Sequence, residues 1–514
     1  MDWLKDLPVL VLGLGDSGLA MARWCARFGA QVTVWDSRGH PPQADTLARE
    51  LPGVQRIADL PAAADFALIV KSPGLPPTDP RIAPLMQDAR DTGIALLGEL
   101  DLFVRALADL KSAQNYAPQV LAITGTNGKT TTTAMTTLLV ERAGKTVAMA
   151  GNIGPTLLDT LTARLDDLPQ VWVLELSSFQ LDSVRGFEPS AAALLNISQD
   201  HLDWHGNMAA YVAAKGRVFG TAAPEGSSSE RAVMVINRGD TLVEAQVPQP
   251  VTVKDKVKGK LKASHRRVVR FGLDAPRRPG DFGVVVENGM AWLVRAWPAD
   301  ETFKRNKDEV EEIHLQRLMP ADALRVRGRH NAANALAALA LATAIGCPLA
   351  PMLHGLREYA GEPHRVELVA RIAMAAGDVE AYDDSKGTNV GATVAALTGL
   401  GADKSPARLV VILGGDGKGQ DFTPLAAPLA QHARAVATIG RDAAAIEAVI
   451  DGVPFKRHDT LEAAVAWCFE QARAGDAVLL SPACASLDMF RNYAHRAAVF
   501  VGAVQALAAE RGVV

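Results

Sequence analysis

Val120-Leu121-Ala122-Ile123-Thr124-Gly125-Thr126-Asn127-Gly128-Lys129-Thr130-Thr131 is the stretch that decides the fold. An apolar run reads as a buried strand, stops at a glycine loop, and passes into a helix from Thr130. Small residues let backbone N–H groups crowd round a phosphate chain at a helix N-terminus, where the helix dipole favours anions. Lys129 can neutralise β- and γ-phosphate oxygens, and the Thr130 hydroxyl can ligate Mg²⁺. Two residues, not the usual four, separate Gly125 from Gly128. A helix-opening turn without a ligand would leave a lysine among glycines unexplained.

Downstream, the same unit predicts strands at Thr146–Met149, Val171–Leu174 and Ala191–Leu195. Glu175 follows one of them, and a carboxylate at the C-terminal edge of a parallel strand faces the crevice where such folds bind ligands. It is placed to complete a Mg²⁺ shell, which takes oxygen ligands. Asp200, His201 and Asp203 follow the next strand, so a metal or substrate contact is expected of His201. Lys215 reads on pattern alone as a solvated helix lysine. An Ala-rich helix, Asn331–Ile345, leads to a boundary near Gly361.

The first hundred residues alternate strand and helix in the same way: strand Val9–Leu12, helix Ser17–Gly29, strand Gln31–Trp35, strand Phe66–Val70, then the turn Ser72-Pro73-Gly74. Lys111–Pro118 reads as a linker. Gly13, Gly15 and Gly18, with Asp36 closing the second strand, fit the dinucleotide fingerprint. That loop places a diphosphate-bearing ligand on the helix without saying which one. An NAD-dependent dehydrogenase is the rival from this evidence, but it leaves the Gly125 loop unexplained.

The third unit predicts strands at Leu409–Leu413, Ala435–Ile439 and Ala477–Leu480 and carries several polar clusters. Pro363-His364-Arg365 offers a cation to a transferring phosphoryl group. Asp383 to Asn389 supplies acids for a nucleotide and donors for a carboxylate. Gly414 to Lys418 offers an N–H nest plus a cation, and Ser481 to Asp488 presents hydroxyls at a strand-to-helix turn. Together they describe a carboxylate-rich substrate facing an ATP. The expectation is an α/β protein of three domains, 1–112, 113–361 and 362–514.

Length and composition agree. A chain of 514 residues exceeds one ordinary core. With 48% hydrophobic and 21% charged residues it has the balance of a soluble enzyme, and a net charge of −4 offers no field for nucleic acid or an anionic membrane. The 4 cysteines lack C-x-x-C spacing, as expected of reduced thiols in a cytoplasmic protein. No signal peptide is expected, since the first apolar run follows Asp2, Lys5 and Asp6. The longest apolar span, Ala335–Ile345, is short of the roughly 20 residues a bilayer crossing needs. Ser227–Ser229, the basic run Lys254–Arg270 and the mixed-charge run Glu301–Glu312 read as surface insertions, solvated hairpins or loops.

In order, and across essentially the whole chain, Gly125–Thr131, the Glu175 segment, Asp200-His201, His330-Asn331-Ala332-Ala333-Asn334 and Asp384-Ser385-Lys386 resemble the signature of the Mur ligase family. The Gly13 loop with Asp36-Ser37-Arg38, Ser72–Gly74 and Ser481–Asp488 resemble its D-glutamate-adding branch. The resemblance implies a Rossmann-like UDP-binding domain, a central P-loop-type ATPase domain and a Rossmann-like C-terminal domain that closes over the site. It implies ATP-dependent ligation of D-glutamate to UDP-N-acetylmuramoyl-L-alanine in peptidoglycan synthesis, by a cytoplasmic monomer that binds no nucleic acid and spans no membrane.

Residue by residue, it implies ATP contacts from Gly125, Thr126, Asn127, Gly128, Lys129, Thr130, Thr131, Asn331, Asn334, Arg365 and Asp384. Gly15, Asp16, Ser17, Asp36, Ser37, Arg38, Ser72, Gly74, Asn152, Ser177 and Gln180 would hold the UDP-sugar. Lys386, Thr388, Lys418, Ser486, Leu487 and Tyr493 would hold D-glutamate; Tyr493 stands where Phe is usual in the family. Thr130 and Glu175 would serve one Mg²⁺, His201 and Lys215 a second. The matching lysine is carbamylated in the family, which overturns the solvated reading of Lys215. Lys129, His201 and Lys215 are the expected catalytic residues. A sibling ligase for another amino acid or folate, the dehydrogenase and a non-catalytic nucleotide switch are the alternatives.

Overall fold

A computed structural model describes residues 1–220, 232–249, 251–254, 261–264, 266–299, 312–326, 328–374 and 377–510. The first sheet is parallel and contains β1 (Pro8–Leu12), β2 (Gln31–Trp35), β3 (Gln55–Ile57), β4 (Leu68–Lys71) and β5 (Ala95–Leu97), in the order β3-β2-β1-β4-β5. Val9 to Leu12 are all buried because helices cover both faces, which is why β1 reads as a continuous apolar run. The expected third strand at Phe66–Val70 is β4, displaced by two residues at its start. β3 precedes it, an edge strand whose Gln55 and Arg56 are exposed and carry no apolar alternation. The order reverses at β1 and β4, so the Gly13 loop and Ser72–Gly74 leave adjacent strand ends.

The expected linker at Lys111–Pro118 is shorter than the sequence implies. The helix Glu99–Gln114 continues through Lys111 and ends only where Asn115 turns left-handed, at φ 56°. Its inner face, including Phe103, Ala106 and Leu110, stays packed to that point.

The central sheet is again parallel: β6 (Gln119–Thr124), β7 (Val147–Gly151), β8 (Val171–Glu175), β9 (Ala191–Leu194), β10 (Val233–Asn237) and, after an antiparallel hairpin of β11 (Val251–Lys254) and β12 (Leu261–Ser264), β13 (Val268–Phe271). The order is β13-β10-β9-β6-β8-β7. The end of the basic run is therefore the edge strand of the main sheet, not part of an insertion. Its Phe271 is buried and Arg270 pairs with Glu244 at 2.8 Å. A three-stranded antiparallel sheet follows, β14 (Phe282–Glu287), β15 (Met290–Pro298) and β16 (Ile313–Pro320). Ser227–Ser229 and all but Glu312 of the Glu301–Glu312 run lie outside the described residues.

The third sheet contains β17 (Glu367–Met374), β18 (Gly377–Asp383), β19 (Leu409–Gly414), β20 (Ala433–Ile439), β21 (Phe455–Arg457) and β22 (Ala477–Leu480), ordered β17-β18-β22-β19-β20-β21 with β17 antiparallel. One apolar cluster runs continuously from the first sheet into the central one, through Phe103, Leu157 and Trp172. The third sheet packs its two faces on clusters of its own. The first two units are thus joined by hydrophobic burial, whereas the third meets them as a separate body. All four cysteines are buried and unbridged, and no helix among the described residues is long and apolar enough to cross a membrane.

Candidate active site

In the central sheet β8, β6 and β9 are neighbours, so their C-terminal ends bring Glu175, the Gly125–Lys129 loop and Asn196–His201 side by side. Gly128 has φ 82° and opens the helix Lys129–Arg142; a Cβ there would meet Asn334 Oδ1 at 2.6 Å. Glycine is required on both counts. Asn196 pins the loop, its Oδ1 accepting from the Asn127 N–H (2.8 Å) and its Nδ2 donating to the Asn127 carbonyl (3.0 Å).

The Lys129 ammonium curls back to donate to the Gly125 (3.0 Å) and Thr126 (2.8 Å) carbonyls. Lys215 reaches the Gly125 carbonyl at 2.8 Å from the helix Met208–Gly216. Its side chain is 2% exposed, so the solvated reading from pattern alone fails. No carboxylate lies within ion-pairing distance of Lys215 among the described residues. Loss of water, reinforced by the nearby Lys129 charge, drives its affinity for a proton well below that of an ordinary lysine.

Glu175 is 1% exposed. Its Oε1 accepts from Asn152 Nδ2 at 2.8 Å, and its Oε2 has no partner among the described residues. A buried carboxylate oxygen left unmatched is costly unless something outside the chain completes it. His201 is held at φ 54°, with Nε2 3.5 Å from Asp200 Oδ2 and its ring edge-on to Phe179. Burial lowers its pKa against the pull of Asp200, and Lys418, Lys129 and Lys215 lower it further. The balance favours the neutral imidazole, the form that ligates metals.

A cavity of 380 Å³ opens beside the loop, lined by Asn127, Gly128, His330, Asn331, Arg365 and Asp384 among others. Arg365 crosses from the third unit to donate to Thr130 Oγ1 at 2.7 Å, while its Nε is buried without a partner among the described residues. Asp384 accepts from Ser481 Oγ at 2.7 Å, and burial pushes its carboxyl up to about 7. Asn331 and Asn334 stand on the first turns of the helix Arg329–Ala344.

The expected D-glutamate residues form a neighbouring group. An isolated antiparallel bridge between Asp416 and Ala485 brings the Lys418 loop against the Ser486 turn. Ser486 is buried, Leu487 is 71% exposed, and Lys386 lies 5.6 Å from the Tyr493 ring centroid. Thr388 follows Lys386 in the turn that enters the helix Val390–Lys404.

In the first unit, Gly15 caps the helix Asp16–Arg27 and Ser72 Oγ donates to the Gly13 carbonyl at 3.0 Å. Asp36 accepts from the Leu14 N–H at 2.6 Å and from Arg38 through both oxygens. Burial alone would raise its pKa, but these donors outweigh it and hold the group at about 2. Ser37 and Gly74 lie in the loops that follow β2 and β4. Ser177 and Gln180 cap each other at the helix Ser178–Leu181.

Sequence reasoning assigned no individual role to several residues here. His330 lines the cavity, where burial pushes its pKa down to about 4. Tyr211 accepts or donates to Thr126 Oγ1 at 3.0 Å behind the loop. Asn389 pairs with Asn127. His330 and Asn389 stand inside motifs already singled out and Asn196 borders one, whereas Tyr211 carried no signal of its own.

The chain matches three family descriptions: Mur ligase MurD-like, N-terminal domain, over residues 8–98; Mur ligase middle domain, over 123–342; and Mur ligase, glutamate ligase domain, over 364–484. It is 59% identical to a UDP-N-acetylmuramoylalanine–D-glutamate ligase of Albidiferax ferrireducens, covering 100% of this chain and 98% of the relative. A protein of the same name from Polaromonas is 50% identical, with 100% of each covered. Among solved structures, MurF ligase from Thermotoga maritima in complex with ADP superposes with a TM-score of 0.55 at 14% identity, covering 99% of this chain and 97% of that one. Thermotoga maritima UDP-N-acetylmuramate–alanine ligase gives 0.54 at 19%, covering 97% and 99%; at such identities these two speak for the fold alone. Three successive domain matches and full-length identity of this order place the chain in the Mur ligase family, with its UDP-N-acetylmuramoylalanine–D-glutamate ligases.

Proposed function

We propose that this chain joins D-glutamate to UDP-N-acetylmuramoyl-L-alanine at the expense of ATP, releasing ADP and phosphate. The observation that carries the reading is the convergence on one loop of Lys129, the half-matched Glu175 carboxylate and Arg365 from the third unit. The full-length relatives supply the substrate class. Its units, residues 1–112, 113–361 and 362–514, work together in a cytoplasmic monomer.

A carboxylate is a poor electrophile because resonance spreads its charge, so amide formation needs activation. The alanine carboxylate attacks the γ-phosphorus of ATP; ADP leaves and an acyl phosphate forms. Lys129 and Arg365 offset the growing oxygen charge. The D-glutamate amine then adds to the acyl carbon, loses its proton, and phosphate departs. His201 orients or deprotonates that amine. Gly125–Thr131, Asn331, Asn334 and Asp384 hold the nucleotide, and Gly15–Ser17, Asp36–Arg38, Ser72, Gly74, Asn152, Ser177 and Gln180 hold the UDP-sugar. Lys386, Thr388, Lys418, Ser486, Leu487 and Tyr493 hold D-glutamate.

Mg²⁺ fits the donor set: the unmatched Glu175 Oε2 and the Thr130 hydroxyl suit one ion, and the neutral His201 ring suits another. Bound there, it would supply positive charge to the phosphate oxygens. An ammonium at Lys215 would repel the second ion. Its depressed pKa favours the free amine, which adds to CO₂ with loss of a proton to give a carbamate, an anionic oxygen ligand.

A coupled ADP-release assay tests the whole reading. ADP should appear only when ATP, the UDP-muramoyl-alanine acceptor and D-glutamate are all present; equal release with other amino acids, or none with any, refutes it.

A further inference from the structure

The third unit has its own hydrophobic cores, so its hold over the ATP loop rests on contacts made at the boundary between the third unit and the central one. The most specific of them joins two amides 262 residues apart. Asn127 Nδ2 donates to Asn389 Oδ1 at 3.1 Å, and Asn389 Nδ2 donates back to Asn127 Oδ1 at 3.0 Å. Asn389 Nδ2 also approaches Asp200 Oδ2 at 3.4 Å.

The orientation of Asn389 is set by its own helix. As N-cap of Val390–Lys404 its Oδ1 accepts from the Ala392 N–H at 2.9 Å, which leaves its amide N–H groups facing Asn127 and Asp200. Two residues on, Gly391 lets that helix end sit against the central unit: a Cβ there would lie 3.0 Å from Ser198 Oγ and 3.1 Å from Asn127 Nδ2. One side chain therefore ties the nucleotide loop, the His201 segment and the turn carrying Lys386 and Thr388. A reciprocal amide pair satisfies both groups only when the two units are in register, so it reads out closure.

We infer that Asn389 is a positioning residue whose reciprocal pair with Asn127 latches the third unit shut over the phosphate loop, keeping water from the acyl phosphate. The inference rests on the ligase reading for its kinetic consequence but not for its structural one.

The test is Asn389→Ser in the full chain. Serine keeps an oxygen acceptor for the helix cap but cannot return the two-way amide pair. The melting temperature should stay within about 3 °C of wild type. In saturating Mg·ATP, kcat should fall roughly tenfold while KM for ATP changes less than about threefold, and phosphate released per amide bond should exceed one. Asn127→Ser should show the same loss, and the double variant no more than either alone. Hydrogen exchange at the amides of residues 125–131 should quicken in the Asn389 variant whether or not the protein proves to be a ligase.

Unchanged exchange overturns the latch, as does unchanged kcat in an active wild type or losses that multiply in the double variant. A wild type that makes no amide, with exchange still quickened by the substitution, refutes the ligase reading and keeps the latch.

Discussion

Lys129 and Lys215 share one acceptor: both ammonium groups donate to the Gly125 carbonyl oxygen, at 3.0 and 2.8 Å. Two like charges converging on a single dipole inside a protein repel strongly, and the more deeply buried of them yields its proton first. That member is Lys215.

Lys215→Ala should therefore lower turnover at least roughly a hundredfold, because the proposed carbamate, an anionic metal-side ligand, would be lost. Acetate or formate should restore part of it by entering the space left behind. Rescue by short amines and not by carboxylates would sink the carbamate.

Lys129 meets the transferred phosphoryl group directly in the proposed reaction. Its replacement by alanine should lower kcat by about a thousandfold or more at any substrate concentration. Near-normal phosphate release by the purified variant would remove Lys129 from the chemistry.

Glu175→Gln keeps an oxygen for Asn152 and removes the charge from the unmatched side. The Mg²⁺ concentration for half-maximal turnover should rise at least roughly tenfold, with the fold intact by circular dichroism. An unchanged Mg²⁺ titration would mean that Glu175 holds no metal.

Asp384 makes a prediction about stability and pH. Burial raises its folded pKa from 3.8 to about 7. Between those values the folded chain keeps a proton that the unfolded chain gives up, so this group costs stability progressively as pH rises from 3.8 to about 7, and the cost is complete above that. Asp384→Asn should accordingly melt higher than wild type at pH 8, with the gain shrinking toward pH 4, while binding ATP more weakly. A melting difference that does not vary with pH would contradict the burial argument.

Much of the fold was legible because its signals are local. Val9–Leu12, Val120–Ile123, Val171–Leu174 and Leu409–Leu413 are strands buried on both faces, and burial demands uninterrupted apolar residues. The edge strands Gln55–Ile57 and Phe455–Arg457 escaped notice because exposed edges tolerate polar side chains. The end of the run Lys254–Arg270 misled in the opposite sense: its charges hid Val268–Phe271, a strand of the main sheet.

From the amino-acid order alone came the three α/β units, the phosphate-type loop at Gly125–Thr131 and the acids and histidine at strand ends, since each depends on neighbours a few positions away. The tertiary structure alone decided that, among the described residues, Lys215 is buried without a carboxylate and Glu175 has one oxygen to spare, and that Asn127 faces Asn389. Solvent exclusion and partner choice depend on which distant segments pack together, and no local pattern encodes a contact between side chains 262 residues apart.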